Sequence, residues 1–548
     1  MSQAGGGKSG LALYFNTLRY LRLSQIAARL YGRVPRRPKL GPPPLRRPVG
    51  RPLVAVVAPL PSMLGPRRFR FLNAEGDCIG AQGWQVAESR LWLYNLHYFD
   101  DLNATDAASR SLWHEALLRR WVAENPPGKG AGWEPYPLSR RLVNWVKWAY
   151  AGHSLAPECE ASLAVQARWL MGRLEYHLLG NHLLANAKAL IFAGLYFQGT
   201  EAETWFSRGW RILRRELREQ ILEDGGHFEL SPMYHCAVLE DLLDVANLCG
   251  AHGVAASTAL QDVINRMRRW LQVMQHPDRR IAFFNDAAFA VAALPADLEA
   301  YSARMELPAP SVENSALVTL PSSGYLRAQA GPAYLICDCA AVGPDYLPGH
   351  AHADTLSFEM SLCGQRVFVN SGTSRYGIDA ERQRQRGTAA HNTVTIDGQD
   401  SSEVWAGFRV ARRARAMLEL ATAHDTIVIQ ASHDGYCRLP GRNVHRRQWV
   451  LGQQALRIED SISGRFTNAT AHFHLHPDIR VAAVDGSTAT LLLPGGQSMG
   501  LSFDGAVELN VEDGTWHPEF GLSISNRVLR ARLATSVLVT HARWSAVA

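Results

Sequence analysis

The hydrophobic period of this 548-residue chain changes from helical to strand-like partway along it. From about Leu102 to Leu307, apolar residues recur at steps of three and four, the spacing of one helix face. The windows are Ser111–Glu124, Leu138–Ala151, Ala161–Leu179, His182–Phe197, Ala202–Leu222, Pro232–Cys249 and Ala256–Met274, joined by short links, many with Gly or Pro. Successive antiparallel hairpins of such helices close into an α/α toroid or stack as a solenoid. The spacing does not choose between these, and no consensus of fixed period repeats. From about Val318 the period becomes two, with strands expected at Tyr334–Cys339, Thr355–Ser361, Thr393–Ile396, Thr426–Ile429 and Leu491–Leu493. Hairpin turns are expected at Asp397-Gly398, Asp434-Gly435, Asp485-Gly486, Asp504-Gly505 and Asp513-Gly514. An antiparallel β-sandwich of many strands follows.

Before the helical region, Leu11 to Val34 reads as a basic amphipathic helix. It would either tether the chain to an anionic membrane or dock on the protein's own body, and docking is the stronger expectation. Pro35 to Pro61, rich in Pro and Arg, reads as an extended strap. Short alternating pieces between Phe69 and Trp92 suggest a small sheet. The expected class is therefore α+β multidomain. Its parts are a basic helix with strap (1–62), a small subdomain (63–101), an incomplete α/α toroid (102–312) and a sandwich (313–548).

A charge of +7 and a pI near 9.0 suit an anionic partner, although much of the excess sits between Arg36 and Arg51. No run of eighteen apolar residues offers a membrane-spanning helix. No secretory signal is visible, so the cytoplasm is the default location and export by an unrecognised route the alternative. Cys78, Cys159, Cys236, Cys249, Cys337, Cys339, Cys363 and Cys437 lack zinc-ribbon spacing and are expected as mostly buried thiols, which mildly favours a reducing compartment. Composition and pattern say nothing about oligomeric state.

Three distant segments carry groups suited to acid–base chemistry. In Asp224 to Tyr234, Ser231-Pro232 reads as N-cap plus first helical position, placing Tyr234 in a first turn, where the helix end would stabilise a phenolate. Packing at a helix start is the plain alternative. Asn181 reads as the N-cap of the next helix, which carries His182 and Asn186, with its amide either capping or facing a ligand. His350 and His352 alternate on one face, with His391 as a third imidazole and Asp354 as the nearest carboxylate to orient them. Arg375, Arg382, Arg384 and Arg386 precede His391 in a stretch read as a loop, suited to gripping carboxylate or sulfate. Tryptophans such as Trp133, Trp145 and Trp405 would suit sugar stacking, though most belong to the core.

Together these segments resemble the heparinase II/III family of polysaccharide lyases. The resemblance rests on Trp92–Asp100, Asn181–Asn186, Asp224–Asp241, His350-Ala-His-Ala-Asp354, Phe368–Thr373 and His391–Val394, and is closest from about Leu91 to Gln399. It implies a toroid followed by a sandwich and cleavage of uronate chains such as glycosaminoglycan, alginate or bacterial exopolysaccharide. It implies that Asn181 neutralises the uronate carboxylate, that Tyr234 is base, acid or both, and that His350 is the second proton-transfer group. The expected substrate contacts are Arg141, His182, Glu229, Arg375 and Arg386. His352 and His391 match metal ligands, usually of zinc before manganese or calcium. The third position, an aspartate in the family, is Asn370 here, and a neutral amide holds a divalent ion less well. A metal would therefore be structural. No organic cofactor is implied, and the expected partner is an acidic polysaccharide rather than nucleic acid.

The implied reaction is β-elimination, with loss of the C5 proton, rupture of the C4–O bond and an unsaturated uronate end. Two alternatives compete. A toroid glycoside hydrolase would need two carboxylates about the scissile bond, with Glu134, Asp224, Glu229 and Asp286 as candidates. A non-catalytic exopolysaccharide-binding or biosynthesis accessory protein would not need Tyr234 or His350 for its function.

Overall fold

Two helices, Gly7–Leu18 and Leu23–Gly32, stand where the sequence suggested one. The break lies at residues 19–22, and the computed structural model describes residues 7–87, 89–254, 258–311 and 315–545. The strap that follows runs extended over the helical body, fastened by its own backbone. Arg47 N–H donates to Tyr196 O (2.8 Å), Gln198 N–H to Leu45 O (2.9 Å) and Arg51 N–H to Ala251 O (3.1 Å). A strap rich in proline has few amides to offer, so these fastenings fall on its other residues. The small sheet is a hairpin of Arg68–Phe71 with Ala74–Asp77.

The helical half contains Arg90–Tyr98, Ser111–Glu124, Pro135–Tyr150, Pro157–Met171, Gly180–Tyr196, Thr200–Gln220, Pro232–Ala251, Thr258–Val273 and Pro295–Arg304. Ser89 caps the first of them through Trp92 N–H, and prolines start four others, where a missing N–H costs nothing. The helix Gly180–Tyr196 is buried nearly all round because it is packed on every side. This half is an α/α toroid. Part of the Ala256–Met274 window lies outside the described residues; its helix is described from Thr258.

Among the described residues every pair of strands in the second half is antiparallel, and the isolated Gly372–His517 bridge is parallel. A five-stranded sheet runs in sequence order from Leu317–Leu320 to Gln365–Phe368, beside four-stranded and eight-stranded sheets. One apolar core, including Leu335, Phe358, Phe473, Trp449 and Leu529, is shared by all three. Two of the expected turns are not turns between paired strands. The Asp504-Gly505 joint carries the chain from the eight-stranded to the four-stranded sheet. Asp513-Gly514 lies inside the strand Ala506–Trp516, paired with Asn526 and Arg527. Cross-strand packing overrides the dipeptide there: a Cβ on Gly514 would come within 2.6 Å of Val528 Cγ2.

The halves share apolar packing. Leu230, Trp270, Val273 and Phe284 from the helical side pack with Val318, Tyr325 and Ile336 of the five-stranded sheet. All eight cysteines are free; Cys363 is exposed and Cys437 half-buried. Among the described residues no helix is long and apolar enough to cross a membrane.

Candidate active site

Tyr234 is placed by its helix. Ser231 Oγ accepts from Tyr234 N–H (3.2 Å), so the expected N-cap is present and the phenol leaves the first turn towards the sheet half. His350 comes from the segment after the five-stranded sheet's third strand. The two rings meet at 3.9 Å between centroids, tilted by 31°. The Tyr234 hydroxyl pairs with Tyr376 OH at 2.8 Å.

Asp286 organises the imidazoles. His350 Nδ1 donates to its Oδ2 (2.8 Å) and His352 Nε2 to its Oδ1 (2.8 Å). Arg382 donates to both oxygens, and Thr373 Oγ1 to Oδ1 (3.3 Å). Burial alone would raise the carboxyl's pKa, but Arg382 and the two imidazoles hold it well below the ordinary carboxylate range. Asp286 is thus an ionised acceptor, and its two histidines must be N–H donors on those atoms. Asp354, expected to orient an imidazole, instead accepts the Asn285 backbone N–H (2.8 Å).

His350 Nε2 then points toward Glu229, 3.5 Å from Oε2, an atom without a hydrogen-bond partner. The other Glu229 oxygen accepts Asn181 N–H at 3.4 Å. Burial raises the Glu229 pKa. Asn181 is not the N-cap. Leu179 takes that place with φ +64°, Gly180 follows at φ +55°, and Asn181 sits half-buried inside the first turn. The His182 ring lies against that of Tyr136, tilted by 38° with centroids 4.5 Å apart, and shares a contact with Glu175 Oε1 (3.1 Å). Burial would lower its pKa, but Glu175 outweighs burial and the pKa is raised, which favours the cation.

Burial holds the Tyr234 phenol well above its ordinary pKa, with Tyr376 and Asp286 adding to the effect. The expected stabilisation of a phenolate by the helix end is therefore overturned, because removal from water and a nearby carboxylate outweigh the helix terminus.

Two of the other expected contacts, Arg141 and Arg386, are turned into the protein. Arg141 is buried, donating to Gln166, His97 O and Gly132 O, and stacks over Trp121. Arg386 is buried against Ala351 O, and burial lowers its pKa to about 9. Both hold backbone rather than ligand. The arginine-rich stretch is the helix Ala380–Arg386, capped by Asp379, and not a loop. Arg384 pairs with Glu381, while Arg375 is exposed. Trp133 and Trp145 are core, and Trp405 packs on Tyr14. The sequence points to none of Tyr376, Glu175 and Tyr136 as parts of the site, and to Asp286 only as a candidate carboxylate of a hydrolase. The only local signal was the polar Asn285-Asp286 pair, set between apolar residues.

His352, Asp354 and His391 form a cluster whose ligand atoms lie within 4.8 Å of one another. Because Asp286 fixes the proton on His352 Nε2, its Nδ1 carries a lone pair, facing His391 Nε2 at 3.3 Å. Burial lowers the pKa of His352 to about 4 and, with His474, that of His391 to about 3, so both are neutral donors. Two neutral imidazoles and a carboxylate fit a divalent cation. Asn370 does not join them. Its Nδ2 donates to Phe283 O (2.8 Å), and its Oδ1 accepts Asn392 N–H (3.3 Å). Asp354 is the carboxylate that the fold supplies instead.

Two family models match the chain: a heparinase II/III N-terminus over residues 84–303 and a heparinase II/III-like C-terminal region over 313–544. A heparin-sulfate lyase of Bacteroides stercoris is 27% identical over 295 residues, covering 49% of this chain and 44% of that protein. One from Pedobacter heparinus is 24% identical over 376 residues, covering 59% and 55%. The chain thus spans about half the length of the curated relatives it matches. Among solved structures, a heparinase III superposes with TM-score 0.69 at 18% identity, over 87% of this chain and 80% of that one. The chondroitin AC lyase of Streptomyces coelicolor superposes with TM-score 0.56 at 12% identity, over 100% and 81%. These structures share the toroid-plus-sandwich architecture.

Proposed function

The chain belongs to the heparinase II/III family, and from that premise we propose that it cleaves a uronate-containing polysaccharide by β-elimination. The observation that carries this reading is the contact of Tyr234 with His350 across the seam between the halves. A phenol held protonated lies against an imidazole whose other nitrogen is tied to an ionised carboxylate. In this reading His350 Nε2 takes the C5 proton, and Tyr234 gives its proton to the departing C4 oxygen. Asn181 and the cation-prone His182 neutralise the substrate carboxylate, lowering the cost of carbanion character at C5. In this reading Arg375, which is exposed, meets further anionic groups of the substrate.

The two proton-transfer groups touch each other, so they approach a sugar from one face. Elimination with the C5 hydrogen and the C4 oxygen on the same face suits a D-glucuronate configuration better than its C5 epimer. A zinc ion held by His352, Asp354 and His391 would supply charge that fixes the segment carrying His350. No proton transfer is assigned to it.

A hydrolase is not supported. Asp286 is wholly buried under Arg382, Glu134 pairs with Arg90, and Asp224 is engaged by Ser323. The test is incubation with heparan sulfate, chondroitin, hyaluronan, alginate and bacterial exopolysaccharides, read by ultraviolet absorbance. Elimination conjugates a new double bond to the carboxylate and absorbance rises. Saturated products, or turnover surviving Tyr234→Phe with His350→Ala, would overturn the reading.

A further inference from the structure

We propose that the first two helices form a docking surface for an anionic lipid bilayer. Their amphipathic faces are turned the wrong way for simple packing on the body. On Gly7–Leu18, Leu11, Phe15 and Leu18 recur at helical spacing and face water, with Phe15 66% exposed. On Leu23–Gly32, Leu23, Ile26 and Leu30 do the same, with Leu23 83% exposed. The buried residue of that second helix is polar: Gln25, whose amide donates to Tyr346 O (3.3 Å). The body is met mostly through polar and aromatic contacts. Trp405 Nε1 donates to Thr17 Oγ1 (3.1 Å), Arg413 lies over Tyr20, and Arg22 pairs with Glu219 and lies over Tyr346. Two apolar stripes therefore stay uncovered in a segment whose contacts with the body are already made.

Charge identifies what covers them. No Asp or Glu occurs in the sequence before Glu75. Arg19, Arg29, Arg33, Arg37 and Lys39 are all exposed in or just after the helices. Apolar stripes flanked only by cations match a bilayer surface with anionic headgroups, where acyl chains receive the leucines and headgroups receive the arginines. A second copy of the same surface would bring cation against cation. Nucleic acid would leave the leucines and Phe15 in water. Among the described residues no helix can cross a membrane, so the pair lies in the interface rather than spanning it. The arm touches Glu219 of the toroid and Tyr346 and Trp405 of the sheet half, and the Tyr346 ring also contacts Phe228, beside Glu229. Docking would hold the His350-bearing segment close to the lipid surface.

The test is flotation of the full chain with vesicles of phosphatidylglycerol and phosphatidylcholine, and with phosphatidylcholine alone. Binding should be at least about 10-fold tighter to the anionic vesicles and should weaken with salt. The Phe15→Asp/Leu23→Asp double variant should stay in solution, with an unchanged melting temperature and activity on a soluble uronate polymer within about 2-fold, because both positions face water. Failure of the parent chain to float with anionic vesicles, or equal binding to both compositions, would overturn the proposal. So would a concentration-dependent dimer in sedimentation that the double variant abolishes, since the stripes would then belong to a second copy.

Discussion

Arg382 grips Asp286 from a neighbouring helix with both terminal nitrogens, one at 2.8 Å, and neither side chain reaches solvent. The pair is the base on which His350 and His352 stand. Removing the cation leaves a buried carboxylate without its main compensation. Arg382→Met should therefore lower stability by about 3–5 kcal/mol, measured by urea unfolding. Asp286→Asn should remove the His350 tether as well, so turnover should fall further than the fraction folded explains.

Tyr234→Phe keeps the ring against His350 and removes only the hydroxyl. It should cost about 100- to 10,000-fold in kcat with little change in melting temperature. His350→Ala should lose activity comparably, and the double variant should be little worse than either single one, as expected for groups acting as a unit. Absorbance assays on a cleaved polymer decide this.

Gly180 has φ +55°, and a Cβ there would lie 2.4 Å from Leu347 Cδ2 and 2.6 Å from Glu229 Oε1. Gly180→Ala should destabilise by about 1–3 kcal/mol through overpacking and displace Glu229 and Asn181. Activity should fall by more than about 10-fold even where the variant remains folded, read by kinetics beside a thermal melt.

Stability should fall on acidification. His97 is locked neutral, with Nε2 donating to Trp84 O and Nδ1 accepting from Trp121; burial, with Arg141 nearby, lowers its pKa to about 3. Burial lowers His235 likewise to about 3, its Nε2 donating to Met267 O. The unfolded chain binds these protons near pH 6.5 and the folded chain does not, so stability is full above about pH 6.5 and declines below it. Each histidine should contribute on the order of 2 kcal/mol of loss by about pH 5, measured as the urea midpoint against pH.

Elemental analysis of the purified chain should find one divalent cation, lost in His391→Ala and in Asp354→Asn. Asn370→Ala should retain it, because Asn370 holds Phe283 O and Asn392 N–H and not the imidazole pair. Chelation should lower the melting temperature by several degrees before it lowers kcat.

The period of the apolar residues located most of the expected toroid helices to within a few residues, with Ser111–Glu124 matching residue for residue, while the Ala161–Leu179 window runs well past a helix that spans Pro157–Met171. Other features misled. Asn181 looks like a cap, yet the turn before it uses Leu179 at φ +64°, a conformation that no side-chain pattern announces. Arg141 and Arg386 look like anion grips, yet each is drawn inside by carbonyls from distant segments. Asp286 stood out only as a polar residue between apolar ones, with no local sign that it anchors the imidazoles, since its partners His350, His352, Thr373 and Arg382 lie far along the chain.

By itself the sequence determined the two halves, the capped helix start under Tyr234 and the alternation that sets His350 and His352 side by side. Those properties arise from residues within one or two turns of each other, so local spacing is enough to specify them. Only the tertiary structure decided which carboxylate orients the imidazoles, which arginines stay in water, whether the phenol is protonated and which face of the first two helices is left bare. Burial and long-range pairing set those outcomes, and both are properties of the packed chain rather than of any stretch of it.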